Sequence, residues 1–293
     1  MHKLDNQDAK EMLTLSSGIH IVLDKKYLPY GEGLMIPKTK DGRVLFMLPW
    51  MNKCLVGTTD EKTALQEHPL VNQTDITYIL HHLEEYLDIK VDHSEIRAQW
   101  SGIRPLVAPN KNASTSSIVR EHVISQTDSK MINIIGGKWT TYRKMAEEVI
   151  DYAIRQHGLD ARPCITKTLR LVGSENYTAS FKLEGIDEDI AKHLYAFFGD
   201  QASSVSQSVS HLERLHPLYA YTNAEVIYTI KKEFVKKPAD FLVRRSALAL
   251  IDQNAAKDIL EKVLELMKIE LDWDEARVNQ EREETLNLLQ TAI

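Results

Sequence analysis

The chain has 293 residues, 43% of them hydrophobic and 27% charged, enough to bury a full core in one large domain or two ordinary ones. Its net charge of −6 argues against nonspecific nucleic-acid binding, which needs a basic surface to displace phosphate counterions; an anionic ligand therefore has to meet a local cluster of Arg and Lys. Apolar runs such as Val44 to Trp50 fall far short of the roughly 20 residues that span a bilayer, and Cys54 and Cys164 are too few and too far apart for a disulfide scaffold or a CxxC metal site.

In chain order, Met1 to Lys10 has neither the apolar stretch of a signal peptide nor the Arg-rich, acid-poor character of a transit peptide, so a cytoplasmic location is expected. From Gly18 to Gly137 the pattern is strand-like. Runs at Gly18 to Leu23, Arg43 to Leu48, Cys54 to Thr59, Glu95 to Arg104, Ser117 to Ile124 and Met131 to Ile135 are separated by turn residues such as Lys40-Asp41-Gly42. One helix interrupts them, from Thr74 to Leu87, with Ile76, Ile79, Leu80, Leu83 and Leu87 on one face. A second spans Thr140 to Gln156, is predicted to bury Met145, Val149 and Tyr152, and stops at Gly158. After an extended stretch from Arg162 to Val172, helices are predicted at Asp187 to Phe198, Ser203 to Leu212, Asn223 to Val235, Ala239 to Ile251, Asn254 to Met267 and Trp273 to Leu289. The fold class is therefore α+β, a mostly antiparallel sheet domain over 1–158 followed by an all-helical C-terminal domain over 159–293.

Five segments carry chemistry. In Ile134-Ile135-Gly136-Gly137-Lys138-Trp139-Thr140-Thr141 a strand runs through two glycines into a helix. The segment reads either as an anion-binding N-terminus or as a plain turn capped by Thr140 or Thr141. In Ser101-Gly102-Ile103-Arg104-Pro105, the proline holds Arg104 extended; its guanidinium reads as an anion ligand or as one side of a surface ion pair. Arg120, in Val119-Arg120-Glu121-His122, faces a polar site or pairs with a neighbour. His20, within Gly18-Ile19-His20-Ile21-Val22, is a satisfied core residue or a general base. Thr59-Asp60, after Val56-Gly57-Thr58, is turn chemistry or part of a site.

In order and spacing these segments, with Leu48-Pro49-Trp50, Asn223-Ala224-Glu225-Val226 and Asp240-Phe241-Leu242-Val243-Arg244-Arg245, resemble the FAD-dependent glycerol-3-phosphate dehydrogenases of the D-amino-acid-oxidase-like flavoprotein fold. The resemblance implies hydride transfer from C2 of sn-glycerol 3-phosphate to flavin N5, giving dihydroxyacetone phosphate, with electrons passed to a quinone. It implies catalytic roles for His20 and Arg104 and substrate binding by Arg104, Arg120 and Lys138. Gly136, Gly137, Lys138, Thr140 and Thr141 would contact FAD, and no metal is implied. A glycerol-3-phosphate oxidase using oxygen, or a noncatalytic phosphate-ester-binding module, is the alternative. A peripheral contact with the cytoplasmic membrane and a homodimer are further expectations. The family's G-x-G-x-x-G turn is missing: Gly31-Glu32-Gly33 leads into Leu-Met-Ile-Pro rather than a helix. The chain is accordingly expected to be the C-terminal part of such an enzyme, inactive without the FAD-binding half and a doubtful binder of FAD by itself.

Overall fold

Leu13–Asp24 forms β1, the longest strand among the described residues; it is buried at alternate positions, Thr14 and Ser16, and then almost continuously from Gly18 to Leu23, as suits a strand covered first on one face and then on both. The computed structural model describes residues 5–8, 13–28, 30–107, 121–178 and 181–291. β2 (Leu34–Ile36), β3 (Leu45–Trp50), β4 (Lys53–Gly57) and β5 (Glu61–Lys62) join β1 in the order β2-β3-β4-β1-β5, and β6 (Ala98–Val107) also pairs with β1. The pairings β1–β4, β1–β5, β2–β3 and β3–β4 are antiparallel. β2 and β5 are too short to show a periodicity, so the sequence pattern did not announce them.

The chain forms two compact units, one of Met1–Gly18, Asp60–Pro69 and Gly102–Leu169, the other of Ile19–Thr59, Leu70–Ser101 and Arg170–Ile293. Compactness thus divides the chain differently from the linear boundary at 158/159. In the second unit, helix α1 (Gln73–Leu87) lays Ile76, Ile79 and Leu83 on Ile21, Leu23, Leu45, Met47 and Val56. Each such buried side chain contributes about 1.5–3 kcal/mol. α1 ends where Asp88 turns left-handed (φ 53°).

The remainder of that unit is helical: α3 (Glu188–Phe198), α4 (Ala202–Ser206), α5 (Asn223–Lys232), a π-helical turn (Asp240–Arg245), α6 (Leu248–Ile251), α7 (Gln253–Asp258), α8 (Leu260–Leu271) and α9 (Glu275–Thr291). Val226 and Ile230 meet Ile259, Val263 and Met267 in its core. Three details differ from the sequence pattern. A short antiparallel hairpin, β9 (Arg214–His216) and β10 (Tyr219–Thr222), sits among the helices. The helix predicted to Leu212 stops at Ser206, where Ser206 Oγ and Ser208 Oγ donate to the carbonyls of Ser203 and Ser204, both at 2.9 Å, in the way serine competes with helix propagation. The helix predicted over Ala239 to Ile251 is broken at Ala247, which is left-handed at φ 56°.

In the first unit, an antiparallel hairpin of β7 (His122–Gln126) and β8 (Ile132–Gly136) carries α2 (Tyr142–His157), which a left-handed Gly158 ends as expected. α2 buries none of its residues fully, so Met145, Val149 and Tyr152 are half-buried rather than buried. A two-stranded ribbon is too narrow to cover a four-turn helix. Residues 162–172, predicted to be extended, contain a turn and make no strand pairing.

Candidate active site

Within the first unit, a cleft of about 600 Å³ is lined by Ile103, Arg104, Pro105, Leu106, Val107, Glu121, Gly136, Gly137, Lys138 and Trp139. Two segments far apart in sequence, the end of β6 and the turn after β8, therefore meet in one place. Arg104 is three-quarters shielded, and its Nη1 donates to the Ser17 carbonyl at 3.3 Å and stands 3.7 Å from Asp60 Oδ1. Asp60 also accepts a hydrogen bond from the Ser16 hydroxyl. The carboxylate and the carbonyl hold the guanidinium in one orientation, which is what planar recognition of an anion needs. Thr59, by contrast, is fully buried, and its Oγ1 accepts the Ile19 N–H at 3.1 Å. Its role is to fasten β1.

The glycine turn has a structural cause of its own. Gly136 and Gly137 sit at φ 80° and 91°, a region closed to most side chains. A Cβ on Gly136 would lie 2.8 Å from the Glu121 carbonyl oxygen and from Val107 Cγ2; one on Gly137 would lie 2.5 Å from Met145 Sδ. The glycines are thus required by packing within the protein itself, while both also line the cleft. Lys138 follows in extended backbone, then a 3₁₀ turn (Trp139–Thr141) precedes α2, so Lys138 does not adjoin an α-helical N-terminus as the sequence suggested. Lys138, Thr140 and Thr141 are all exposed; the Thr141 hydroxyl donates to the Lys138 carbonyl at 3.0 Å. Trp139, 84% exposed, stacks on Tyr142 with centroids 5.3 Å apart. His122 Nε2 and Glu148 Oε2, 2.7 Å apart, tie the hairpin to α2.

His20 belongs to the other unit, where its ring stacks on Trp100 at 5.7 Å and 17° and faces Gly57 across the sheet. Arg120 lies outside the described residues. So Arg104, Gly136, Gly137 and Lys138 come together in one cleft, while Thr140 and Thr141 occupy the turn beside it.

Sequence reasoning missed a second polar cleft, of about 760 Å³ in the second unit, lined in part by Asp24, Lys53, Arg97, Tyr219 and Asp252. Arg97 Nε and Nη2 donate to Asp24 Oδ2 at 3.0 and 2.7 Å, and Lys53 Nζ to Oδ1 at 3.1 Å. Burial pushes the Asp24 pKa up, but these cationic donors outweigh it and hold it below the ordinary 3.8. Tyr219 donates to Asp252 at 2.9 Å, and burial first, that carboxylate second, push its phenol up. The five residues come from five distant segments with no shared motif, so no pattern in the chain could have found them.

Comparison with known proteins identifies the family. The family described as FAD dependent oxidoreductase matches residues 1–143, and that described as the C-terminal domain of alpha-glycerophosphate oxidase matches 164–278. The mitochondrial glycerol-3-phosphate dehydrogenase of Mesocricetus auratus is 39% identical over 99% of this chain and 42% of its own length. The corresponding protein of Arabidopsis thaliana is 37% identical over 99% of this chain and 50% of its own. The glycerol-3-phosphate dehydrogenase of Bacillus halodurans, solved in complex with FAD, superposes with a TM-score of 0.80 at 25% identity, covering 98% of this chain and 59% of that one. The chain thus spans about half the length of these relatives. Both family matches and the relatives lead to one conclusion: the chain belongs to the FAD-dependent glycerol-3-phosphate dehydrogenase family.

Proposed function

We propose that this chain carries the substrate-binding side of an enzyme that oxidises sn-glycerol 3-phosphate to dihydroxyacetone phosphate with FAD and passes the electrons to a quinone. The observation that supports it is the meeting of Arg104 and Lys138 in one cleft. A phosphate ester needs cationic donors at fixed positions, and Arg104 is fixed by Ser17 and Asp60. In this reading Arg104 and Arg120 hold substrate oxygens and lower the alcohol pKa, and His20 takes the hydroxyl proton. Bound FAD supplies the hydride acceptor. Its contacts fall to the backbone of Gly136 and Gly137, which line the cleft, to Lys138 and to the exposed Thr140 and Thr141. Lys138 would offset negative charge accumulating there. At the sequence level the substrate side is 1–158 and the helical domain 159–293.

Among the described residues no helix is long and apolar enough to cross a membrane; we place the enzyme in the cytoplasm, touching the membrane from its surface, where a quinone is dissolved. A second reading, an oxidase passing electrons to oxygen, is favoured by the match of 164–278 to a domain described for alpha-glycerophosphate oxidase. The test joins this chain to the FAD-binding half of a relative. Glycerol-3-phosphate-dependent dye reduction without peroxide is expected. Peroxide would favour oxygen, and a flavin-loaded joined protein that neither reduces dye nor makes peroxide would leave only a noncatalytic binding module.

A further inference from the structure

One row of residues crosses the sheet of the second unit at His20. His20 lies opposite Gly57, Gly57 opposite Phe46, and Phe46 opposite Met35. Directly opposed residues share a face, and the neighbouring row of Ile21, Val56 and Met47 is buried in the core on the other side. His20 therefore stands on the face opposite the core, in line with the partly exposed Phe46 and Met35. Two neighbours shape its place. Gly57 leaves β4 bare: a Cβ there would lie 2.9 Å from both Cγ and Nε2 of the imidazole, so the ring occupies the volume that any other residue would fill. Trp100, from β6, lies nearly parallel to the ring at 5.7 Å and is itself braced by Trp50 at 5.6 Å.

We propose that Gly57 and Trp100 are positioning residues for His20, a shelf beneath the imidazole and a wall beside it that together hold the ring in one plane. The proposal rests on the reading of His20 as the proton-handling group. A base is useful when its nitrogen stays within hydrogen-bond reach of one substrate proton, and a histidine between a bare strand and an indole face has few other rotamers to visit. Glycine at 57 is then required by the ring.

The test is NMR of this chain with isotope-labelled histidine, the His20 ring signals being assigned by their loss in His20→Gln. Protons stacked on an indole face are shielded, so the His20 ring protons are expected upfield of an exposed histidine. Trp100→Leu should abolish that shift, Trp100→Phe should keep most of it, and Gly57→Ala should move the signals as the ring leaves β4. The amide signals of α8 report that each variant remains folded. Ring shifts unchanged in both Trp100→Leu and Gly57→Ala would overturn the proposal. Failure of the underlying reading looks different: if the shifts respond as expected but His20→Asn in the joined enzyme turns over normally, the positioning stands and its catalytic purpose falls.

Discussion

Gly136 and Gly137 answer different constraints, although they read identically in sequence. The obstacle to a side chain at Gly136 is backbone, the Glu121 carbonyl; at Gly137 it is the end of Met145, which can swing aside. Gly136→Ala is expected to cost about 2 kcal/mol or more, since it adds a left-handed alanine to an immovable clash, and Gly137→Ala about 1 kcal/mol. Urea unfolding of both measures the difference, and equal midpoints would contradict it. The same geometry revises a natural expectation: Gly137→Val strains the fold itself, so loss of flavin from that variant is no evidence of contact. The cysteines differ as sharply. Cys54 is fully buried, and burial pushes its thiol up to about 11, whereas Cys164 is exposed. Because the thiolate is the reactive form, a thiol reagent is expected to label one cysteine rapidly in the native chain and two after denaturation; two rapid labels in the native chain would show Cys54 accessible.

Among the elements, β1 is held at its C-terminal end by a charge cluster. Asp24 at the end of β1 takes Arg97, just before β6, and Lys53 of β4. Its pKa is lower folded than unfolded, so the cluster stabilises fully above the unfolded value near 3.8 and the contribution is lost as pH falls through that value and below. With both cationic partners part-exposed, about 0.5–1 kcal/mol is at stake. Arg97→Met should shrink the stability difference between pH 7 and pH 3 by that amount in denaturant melts; an unchanged difference would place the pH dependence elsewhere. Ala247 breaks the helix predicted from Ala239 to Ile251 with a left-handed backbone. Ala247→Gly is expected to raise stability by up to about 1 kcal/mol; destabilisation would show that the packing of its half-buried methyl outweighs strain. The long strands and α1 were legible because a period of 2 or 3.6 repeats several times within them. β2, β5 and the β9–β10 hairpin were not, since two to four residues cannot establish a period.

At the scale of the whole molecule, legibility divides by cause. The meeting of Arg104 with Lys138 could be expected only from ordered motifs, and the ion pair with Asp60 could not, because it depends on how Arg104 of β6 lies beside Ser17 and the residue just before β5. His20 was visible as a histidine in an apolar strand, yet its setting against Trp100 and Gly57 comes from register, which a chain does not display until its strands pair. The relatives are about twice as long as this chain, so the proposed binding of glycerol 3-phosphate by Arg104 in the cleft of the first unit has to be measured in a joined protein. Measuring kcat/KM for glycerol 3-phosphate in the joined enzyme and its Arg104→Ala variant, with flavin content and thermal melting recorded on both, tests it most directly. A loss of at least about tenfold, near 1.4 kcal/mol of transition-state binding, is expected in a variant that keeps its flavin and its fold; an Arg104→Ala enzyme that is folded, flavin-replete and equally active would remove Arg104 from the substrate site.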